Sequence, residues 1–244
     1  MVNEILQFKN GNPVSSPEER IDLLPKTIWK NNKKCVALDI GCNAGNLTQS
    51  LHVFLKNNVS EDCSLLGVDI DPILIRRANE ANTSDNVYFQ CLDFMDQNNR
   101  ETIIKNYLLL NNTDIFSVVF CFSTTMWIHL NNGDMGLKTF LKEAALISDM
   151  LIIEPQPWKC YKAAVKRLKK VFRFPLFSEL KIRENVEDEI EKFLIDECNM
   201  VKIAVTNRTK WDRKIIFFEK LLVTSTLSAI LCKKINFEVA DSDS

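Results

Sequence analysis

The amino-acid sequence predicts an α/β protein built on a seven-stranded, mostly parallel sheet with helices on both faces. From residue 34 onward, short apolar runs alternate with segments of helical periodicity, which is typical of βαβ units. The run 115–122 is almost continuously apolar, as expected of a strand buried on both faces. The chain has 244 residues, of which 46% are hydrophobic and 26% charged, so it can form one globular domain of this kind.

The strands are predicted from apolar runs of four to eight residues that end at polar or turn-forming residues. Strands separated by helices should run parallel and be joined by right-handed crossovers. The last two strands are joined by a polar loop instead of a helix. The predicted strands span 34–40, 65–70, 87–92, 115–122, 150–153, 201–205 and 215–218.

Helices are predicted where apolar residues recur at intervals of three or four. Leu47, Leu51 and Leu55 show this spacing after the first strand, and Asp71-Pro72 is an N-cap followed by a first-turn proline. A helix over 20–30 is interrupted by a proline. The other predicted helices span 71–81, 100–110, 137–147, 161–171 and 186–197.

The composition sets the domain boundaries and excludes several classes of protein. We expect a flexible arm over 1–17, one domain over 18–235 and a frayed tail over 236–244. The net charge of −1 means that any nucleic acid must bind a local patch. The eight cysteines form no C-x-x-C pair and there are only two histidines, so we expect free thiols in a reducing compartment and no metal. The start of the chain lacks a signal peptide and the apolar run 221–232 is too short to span a bilayer, so we expect no membrane partner.

A glycine loop follows the first strand, where open α/β sheets bind ligands. Asp39 precedes Gly41 and Gly45, and Asn43 stands between the two glycines. This spacing lacks the third glycine of the dinucleotide pattern G-x-G-x-x-G, so nicotinamide dinucleotides are disfavoured. It resembles the loop of S-adenosylmethionine-dependent methyltransferases, in which the Asn43 amide could bond the methionine part of the cofactor.

Carboxylates end the next two strands. Asp69 is placed to accept from two ribose hydroxyls, and Asp93 could accept from an adenine amino group while Phe94 flanks the ring. Asp71 is a rival to Asp69, although a role as helix cap is favoured for it. Strand-end aspartates are often only helix caps, but three such features at the ends of three successive strands favour a cofactor site.

Two segments after the fourth and fifth strands resemble a known family, the bicoid-interacting-protein type of RNA 5′-phosphate methyltransferases. The resemblance covers about residues 18–220, and two of its motifs look closest to the subgroup that acts on the 5′-monophosphate of cytoplasmic histidine tRNA: LDFM and WKCYKAA. The matching stretches are LDIGCNAGNL, VDIDPILIRRA, LDFM, TMWIHLNNGDMGL and LIIEPQPWKCYKAA.

The resemblance implies a Rossmann-like class I methyltransferase fold and S-adenosyl-L-methionine as cofactor, with S-adenosyl-L-homocysteine as product. It also implies a cytoplasmic enzyme that acts on RNA with a 5′-monophosphate. We expect a monomer, because nothing in the sequence demands a second subunit for catalysis. The residues predicted to line the cofactor are Arg20, Gly41, Asn43, Gly45, Asp69, Ile70, Asp93, Phe94 and Phe122.

The acceptor phosphate needs cations and the first base needs aromatic rings. A 5′-monophosphate with a second pKa near ~6 is already a nucleophile at neutral pH, so no general base is required. His129 and Lys159 are the catalytic candidates, and His129 is as readily a structural hydrogen-bonding group in its loop. Glu154 is favoured as a structural partner. The predicted substrate-binding residues are Arg20, Trp158, Lys159, Tyr161, Lys162, Lys166, Arg167 and Arg213.

A run of cations follows the last of these motifs without an acidic residue between them. Such runs are often only solvated faces, but next to the strand ends predicted to form the active site this one is better explained as a track for RNA phosphates. An acidic helix over 186–197 is expected to be exposed and to face away. The cations of the track are Lys159, Lys162, Lys166, Arg167, Lys169, Lys170 and Arg173.

Three other functions remain open at this point. The first is methylation of an RNA γ-phosphate, as in the larger capping members of the same family. The second is methylation of a small molecule, for which a cation track would be superfluous. The third is an RNA-binding scaffold that keeps the methyltransferase fold without turnover.

Overall fold

A computed structural model of the protein describes residues 17–29 and 33–221. Within them the strands are β1 Cys35–Ile40, β2 Cys63–Asp69, β3 Val87–Cys91, β4 Phe116–Phe122, β5 Ser148–Glu154, β6 Met200–Val205 and β7 Ile216–Lys220. The helices are α1 Pro17–Ile21, α2 Asn46–Asn58, α3 Pro72–Glu80, α4 Gln97–Leu110, α5 Thr125–Leu146, α6 Trp158–Leu168 and α7 Val186–Glu197, with a 3₁₀ turn at Pro175–Ser178.

The strands form one seven-stranded sheet in the order β3-β2-β1-β4-β5-β7-β6. Strands β1 to β5 pair in parallel, and β7 is antiparallel to both β5 and β6. The reversed strand between β5 and β6 distinguishes this sheet from the dinucleotide-binding order 3-2-1-4-5-6. The predicted seven-stranded, mostly parallel sheet is confirmed.

Helices cover both faces of the sheet, as the sequence predicts. On one face, alternate strand residues such as Leu38 and Val119 pack in one cluster with Phe140 of α5 and Ile190 of α7. On the other face, Ala37 of β1 belongs to a cluster that includes buried leucines of α2. Because neighbouring strand residues point to opposite faces, the central strands are apolar at nearly every position.

The first and fifth helices differ from the sequence prediction. The helix predicted over 20–30 is wrong: α1 ends at Ile21, and the chain turns through hydrogen bonds from Leu23 to Arg20 and from Leu24 to Ile21 before it reaches Pro25. The helix predicted over 137–147 begins already at Thr125, with a break at Gly133, whose φ is +71°. Because Gly133 is not helical, the sequence pattern does not show that the segments before and after it form one helix.

Parts of the predicted domain organisation lie outside the described residues. These parts are the predicted arm up to residue 16, the end of the predicted domain from residue 222, which includes Cys232, and the predicted tail. Pro17, the last residue of the predicted arm, begins α1. No helix within 17–29 and 33–221 is long and apolar enough to cross a membrane.

Candidate active site

The loops after β1 and β4 meet at one edge of the sheet. These two strands are neighbours, and the chain extends the sheet in one direction through β2 and β3 and in the other through β5. Ligands of open α/β sheets bind in the crevice outside the carboxyl ends of the strands at such a switch point. Thr124, two residues after the end of β4, joins the two strand ends through a hydrogen bond from its Oγ1 to the carbonyl oxygen of Ile40 (2.9 Å).

The glycine loop has three residues in the left-handed region. The φ angles are +84° at Gly41, +53° at Asn43 and +82° at Gly45. Asparagine tolerates this conformation better than most residues, and Asn43 Oδ1 accepts a hydrogen bond from the amide of Ala44 (2.7 Å). Asn43 can therefore occupy the place of a glycine, and the predicted bond of its amide to the cofactor stays a prediction.

The loop presents the start of α2 to the crevice. The N-cap position is Gly45, which has no side chain to bond the first amides of this 13-residue helix. Uncapped helix amides attract carboxylates, and a cofactor with a methionine carboxylate fits such a helix end. A Cβ on Gly45 would lie 2.6 Å from the ring of Phe89, so the close packing of this turn also requires glycine.

Asp39 and Asp69 place negative charge beside the loop. Asp39 is buried and accepts a hydrogen bond from Thr48 Oγ1 (2.7 Å); burial raises its pKa to about 6. Asp69 accepts from the amides of Asn43 (2.9 Å) and Asp71 (3.0 Å), and burial raises its pKa as well. Two carboxylates in a poorly solvated site fit a ligand that carries a sulfonium and an ammonium group. S-Adenosylmethionine is such a ligand.

Asp71 has the structural role favoured for it. Its side chain caps α3 by accepting from the amide of Ile73 (2.8 Å), and Pro72 occupies the first turn. The ribose-binding assignment therefore stays with Asp69, at the end of β2.

The residues predicted to hold the adenine differ in exposure. Asp93 and Ile70 are exposed at the ends of β3 and β2, where a ligand can reach them. Phe94 is buried in the core, with its ring edge-on to Phe140 (5.3 Å between centroids) and covered by Arg100. The prediction that the ring of Phe94 flanks the adenine is wrong for this structure, because α4 and α5 enclose it.

Glu154 is the centre of a polar network at the end of β5. It is fully buried and accepts hydrogen bonds from Arg20 Nη2 (2.9 Å), Ser123 Oγ (2.6 Å) and Trp211 Nε1 (2.7 Å). A buried carboxylate needs such partners, so the structural role expected of Glu154 is confirmed. Arg20 also lies over the rings of Phe122 (5.9 Å) and Trp211 (5.4 Å).

Ser123 and Gln156, which the sequence prediction missed, shape the same network. Ser123 has φ +58°, a strained value for a residue other than glycine, and its Oγ accepts from Arg20 and Arg213 while donating to Glu154. Gln156 is buried and donates to the carbonyl oxygen of Ser123 (2.6 Å), while its Oε1 accepts from the amide of Met126 in the first turn of α5 (3.1 Å). Gln156 lies within the EPQPW motif, but no pattern signals the backbone angle of Ser123.

His129 and Tyr161 are core residues: His129 has the structural hydrogen-bonding role that was left open for it beside catalysis, whereas Tyr161 was predicted to bind substrate. His129 is fully buried, with Nδ1 bonded to the hydroxyl of Tyr161 (3.1 Å) and Nε2 to Asp134 (2.8 Å). Burial lowers the pKa of His129 against the opposing effect of Asp134. Tyr161 is also fully buried, so it offers no ring to an RNA base, and His129 has no free nitrogen for catalysis. Asp134 also accepts hydrogen bonds from the backbone amides of Lys181 and Ile182.

Trp158 and Lys159 lie at the start of α6. The ring of Trp158 is half-buried and stacks on Phe177 (5.2 Å, 10°), so one of its faces is already covered. The side chain of Lys159 is 59% exposed and forms an ion pair with Asp212 in the loop between β6 and β7. Their predicted contacts with substrate stay predictions.

The cation track is present but is not one continuous helical face. Lys162, Lys166 and Arg167 lie on α6, whereas Lys169, Lys170 and Arg173 follow its end at Leu168. All six side chains are exposed, and none forms an ion pair with a carboxylate in the described part of the chain. The helix prediction over 161–171 therefore extends three residues too far, but the positive surface is real.

The acidic helix α7 does not simply face solvent. Glu187 is buried and bonds Arg208 (2.9 Å), and Glu191 forms an ion pair with Lys202. These contacts hold α7 to β6 and to the loop after it. The described residues contain no group of histidines, cysteines or acids that could hold a metal ion.

The loop between β6 and β7 completes the site from the other side. Trp211 bonds Glu154, Asp212 pairs with Lys159, and Arg213 bonds Ser123. This loop therefore lies against the ends of β4 and β5 and the start of α6.

Comparisons with known proteins show which family the chain resembles. The family model of Bicoid-interacting protein 3 (Bin3) matches residues 116–220. The RNA 5'-monophosphate methyltransferases of Bos taurus and Homo sapiens are 37% and 38% identical, covering 86% and 83% of this chain and 78% and 75% of their own. The pre-miRNA 5'-monophosphate methyltransferase of Xenopus laevis is 36% identical and covers 87% of this chain and 90% of its own.

Solved structures show the same fold at low sequence identity. N-methyltransferase NodS from Bradyrhizobium japonicum, in complex with S-adenosyl-L-homocysteine, is 14% identical with a TM-score of 0.54, covering 86% of this chain and 89% of its own. The bifunctional kinase-methyltransferase WbdD is 14% identical with a TM-score of 0.51, covering 90% of this chain and 46% of its own. The predicted methyltransferase fold is confirmed.

Together, the relatives confirm the predicted enzyme class and cofactor: the chain is a methyltransferase that uses S-adenosylmethionine. Identities of 36–38% over more than four fifths of the chain also decide its family. The chain belongs to the Bicoid-interacting protein 3 (Bin3) family.

Proposed function

We propose that this methyltransferase transfers its methyl group to the 5′-monophosphate of RNA. The observation that carries the proposal is the arrangement of cations around the crevice. Arg20 and Arg213 meet at Ser123, Lys159 lies at the start of the next helix, and the exposed cations of α6 continue from there. Relatives at 36–38% identity bear the names of RNA 5'-monophosphate and pre-miRNA 5'-monophosphate methyltransferases, which supports the same substrate class.

The chemistry asks little of the protein beyond positioning. A terminal phosphate with a second pKa near ~6 is largely a dianion at neutral pH. One of its oxygens forms a bond to the methyl carbon while the carbon–sulfur bond breaks and its electron pair goes to sulfur, so no proton moves. The cofactor supplies the activated methyl group. The protein must hold the phosphate in line with it and balance the charge of the other oxygens.

Glu154 and His129, two groups near the ends of β4 and β5 that could act as general bases, are already engaged. Glu154 is buried and accepts three kinds of donor, and both ring nitrogens of His129 are bonded. This fits an acceptor that needs no deprotonation. A hydroxyl acceptor on a ribose or a small molecule would need a base.

The cation track supports a polynucleotide as the substrate and not merely a compound with a terminal phosphate. Six exposed cations without carboxylate partners in the described chain form a local positive surface in a protein of net charge −1. Neutralised phosphates release counterions, which favours binding of a backbone over binding of a mononucleotide. We propose histidine tRNA as the RNA, because the LDFM and WKCYKAA motifs resemble that subgroup, and we propose that the enzyme acts as a monomer in the cytoplasm.

The direct test is end-dependent methyl transfer. Labelled S-adenosylmethionine is incubated with one transcript that carries a 5′-hydroxyl, a 5′-monophosphate or a 5′-triphosphate, and histidine tRNA is compared with a second tRNA. We expect label on the monophosphate only, and faster labelling of histidine tRNA. Equal label on triphosphate ends would favour a capping activity, as in the U6 snRNA methylphosphate capping enzyme of Drosophila melanogaster, which is 31% identical over 68% of this chain. Binding without label would indicate a scaffold.

The same experiment tests the choice of histidine tRNA separately from the choice of the phosphate acceptor. Equal rates on both monophosphate tRNAs would contradict that choice of RNA and leave the phosphate acceptor in place.

A further inference from the structure

Arg213 has an incomplete set of hydrogen bonds. Its Nη1 donates to Ser123 Oγ and lies 3.7 Å from Glu154 Oε2. Its Nε is buried and has no hydrogen-bond acceptor, and it is the only buried side-chain nitrogen or oxygen in this state among residues 17–29 and 33–221. An unsatisfied buried donor destabilises the folded protein, and more so when it is charged, so it needs an explanation.

Hydrogen bonds fix both the backbone of Arg213 and the tip of its side chain. The backbone of Arg213 donates to Thr209 Oγ1 (3.0 Å) and accepts from the amide of Thr209 (2.7 Å), which closes the loop beneath it. Ser123 fixes the far end of the side chain. The orientation of the Nε edge is therefore set by the fold before any ligand arrives.

The charges around Arg213 do not balance. Arg20 and Arg213 contribute two positive charges and Glu154 contributes one negative charge, in a cluster where the arginine side chains are only 13% and 19% exposed and the glutamate is fully buried. These three groups alone carry an excess positive charge, and Arg20 also interacts with the buried carboxylate of Asp39. An anion that met the Nε edge would satisfy both the charge and the unpaired donor.

The Nε and Nη2 atoms form the edge of a guanidinium that binds two oxygens of a phosphate or carboxylate side by side. Because Nη1 is used by Ser123, the remaining edge has the geometry for such a bidentate contact. We infer that Arg213 binds two non-transferred oxygens of the RNA 5′-phosphate through Nε and Nη2, and so positions the third oxygen for methyl transfer. This inference rests on the proposed function.

The position of Arg213 favours the acceptor phosphate over the methionine carboxylate of the cofactor. Arg213 enters from the loop before β7, and β4 and β5 separate β7 from β1 in the sheet. The uncapped start of α2, next to the glycine loop of β1, is the place for the carboxylate. Both anions have the same chemistry, so the experiment must distinguish them.

The test compares two RNAs on one protein variant. Arg213→Lys keeps the positive charge but has no Nε–Nη2 pair. Dissociation constants are measured for protein saturated with S-adenosylhomocysteine and for one RNA with either a 5′-monophosphate or a 5′-hydroxyl. We expect the preference of the wild type for the monophosphate to fall by about tenfold, the value of one charge-assisted hydrogen bond. A purely structural role would weaken binding of both RNAs alike and leave their ratio unchanged.

Arg208→Lys is the matched control. Arg208 lies in the same loop but is exposed and bonds Glu187 and Asp212, so its replacement should leave the ratio of the two dissociation constants unchanged. Arg213→Gln, which keeps a single nitrogen donor, is the second variant and should lower the ratio if the lysine variant fails to fold.

Each alternative outcome is distinct. A wild-type protein that does not prefer the monophosphate would contradict the proposed function itself. A normal wild-type preference that persists in both Arg213 variants would contradict only the role of Arg213. Weaker binding of S-adenosylhomocysteine by Arg213→Lys, with an unchanged ratio for the RNAs, would assign the contact to the cofactor carboxylate and overturn the inference.

Discussion

Replacing Asp39 by asparagine should stabilise the fold at neutral pH and weaken the binding of S-adenosylmethionine. Asp39 is buried near the end of β1, and within residues 17–29 and 33–221 its one side-chain hydrogen-bond donor is Thr48 Oγ1. An asparagine oxygen can accept the same hydrogen bond without carrying a charge. The substitution therefore removes the cost of burying an anion and keeps the local geometry.

The pKa of Asp39 gives the magnitude. Burial, with a smaller contribution from Asp69, raises the pKa from 3.8 to about 6, while Thr48 and Arg20 act in the opposite direction. The folded state thus binds a proton more tightly than the unfolded state. Above the folded pKa the ionised carboxylate costs roughly 3 kcal/mol of stability, and the cost is relieved as the pH falls from about 6 toward 3.8.

The assay is chemical denaturation of both proteins at two pH values. We expect Asp39→Asn to raise the free energy of unfolding by about 1–3 kcal/mol near pH 7.5, and this advantage to shrink by about 1.4 kcal/mol near pH 5. Asp85→Asn, which removes a negative charge from an exposed position, is the control and should change stability little. A less stable Asp39→Asn variant at both pH values would refute the reasoning.

The same residue links pH to cofactor binding. The cofactor carries positive charge, so it binds better when Asp39 is ionised, and binding must in turn lower the pKa of Asp39. The dissociation constant for S-adenosylmethionine should therefore fall as the pH rises through about 6. Asp39→Asn should bind more weakly and lose most of this pH dependence. A wild-type dissociation constant that does not change between about pH 5 and pH 7 would contradict the link.

The remaining predictions concern the RNA surface, the core and the glycine loop. Reversing Lys166, Arg167 and Lys170 to glutamate should weaken RNA binding. It should also reduce the slope of the logarithm of the RNA-binding constant against the logarithm of the salt concentration by about 2. Unchanged cofactor affinity is the control, and unchanged RNA affinity would refute the track. His129→Gln should lower the free energy of unfolding by about 2–4 kcal/mol without abolishing methyl transfer; a stable but inactive variant would restore a catalytic role. Gly45→Ala should cost about 2–5 kcal/mol in denaturation, from left-handed strain and a ring clash, and unchanged stability would contradict the turn geometry.

The sheet could be predicted from the sequence because its strands are buried on both faces. A run such as 115–122 has few other structures available to it, and a helix must follow each such strand before the next parallel one. The cap at Asp71 is equally local, because an aspartate followed by proline bonds an amide only two residues away. The helix over 20–30 failed for the opposite reason: its apolar spacing fits a helix, but the chain turns before Pro25 to pack Leu24 against the sheet.

The candidate site was predictable in its location and less so in its chemistry. Gly41 and Asn43 follow β1 and Asp69 ends β2, and because these two parallel strands are paired, their ends can be predicted to meet without knowledge of side-chain packing. His129 and Tyr161 were misassigned because polar aromatic groups near a strand end look the same in sequence whether they face a ligand or each other. Their mutual hydrogen bond is a long-range contact between α5 and α6, which only the packed structure reveals.

The unusual backbone angle of Ser123 also lies beyond sequence reasoning. A serine after a strand has no sequence signal for φ +58°, and its contacts come from three separate segments of the chain, which contribute Arg20, Glu154 with Gln156, and Arg213. Such strain persists only where surrounding groups fix it, which is common at functional sites.

The position of the transferred methyl group tests the central claim most directly. RNA with a 5′-monophosphate is methylated by the enzyme, digested to nucleotides, and analysed by mass spectrometry for the 5′-terminal nucleotide. The account predicts a methyl ester on the terminal phosphate. Treatment of the RNA with phosphatase before the methylation reaction should abolish this product. A methyl group on a base or a ribose, or methylation that persists on dephosphorylated RNA, would contradict it.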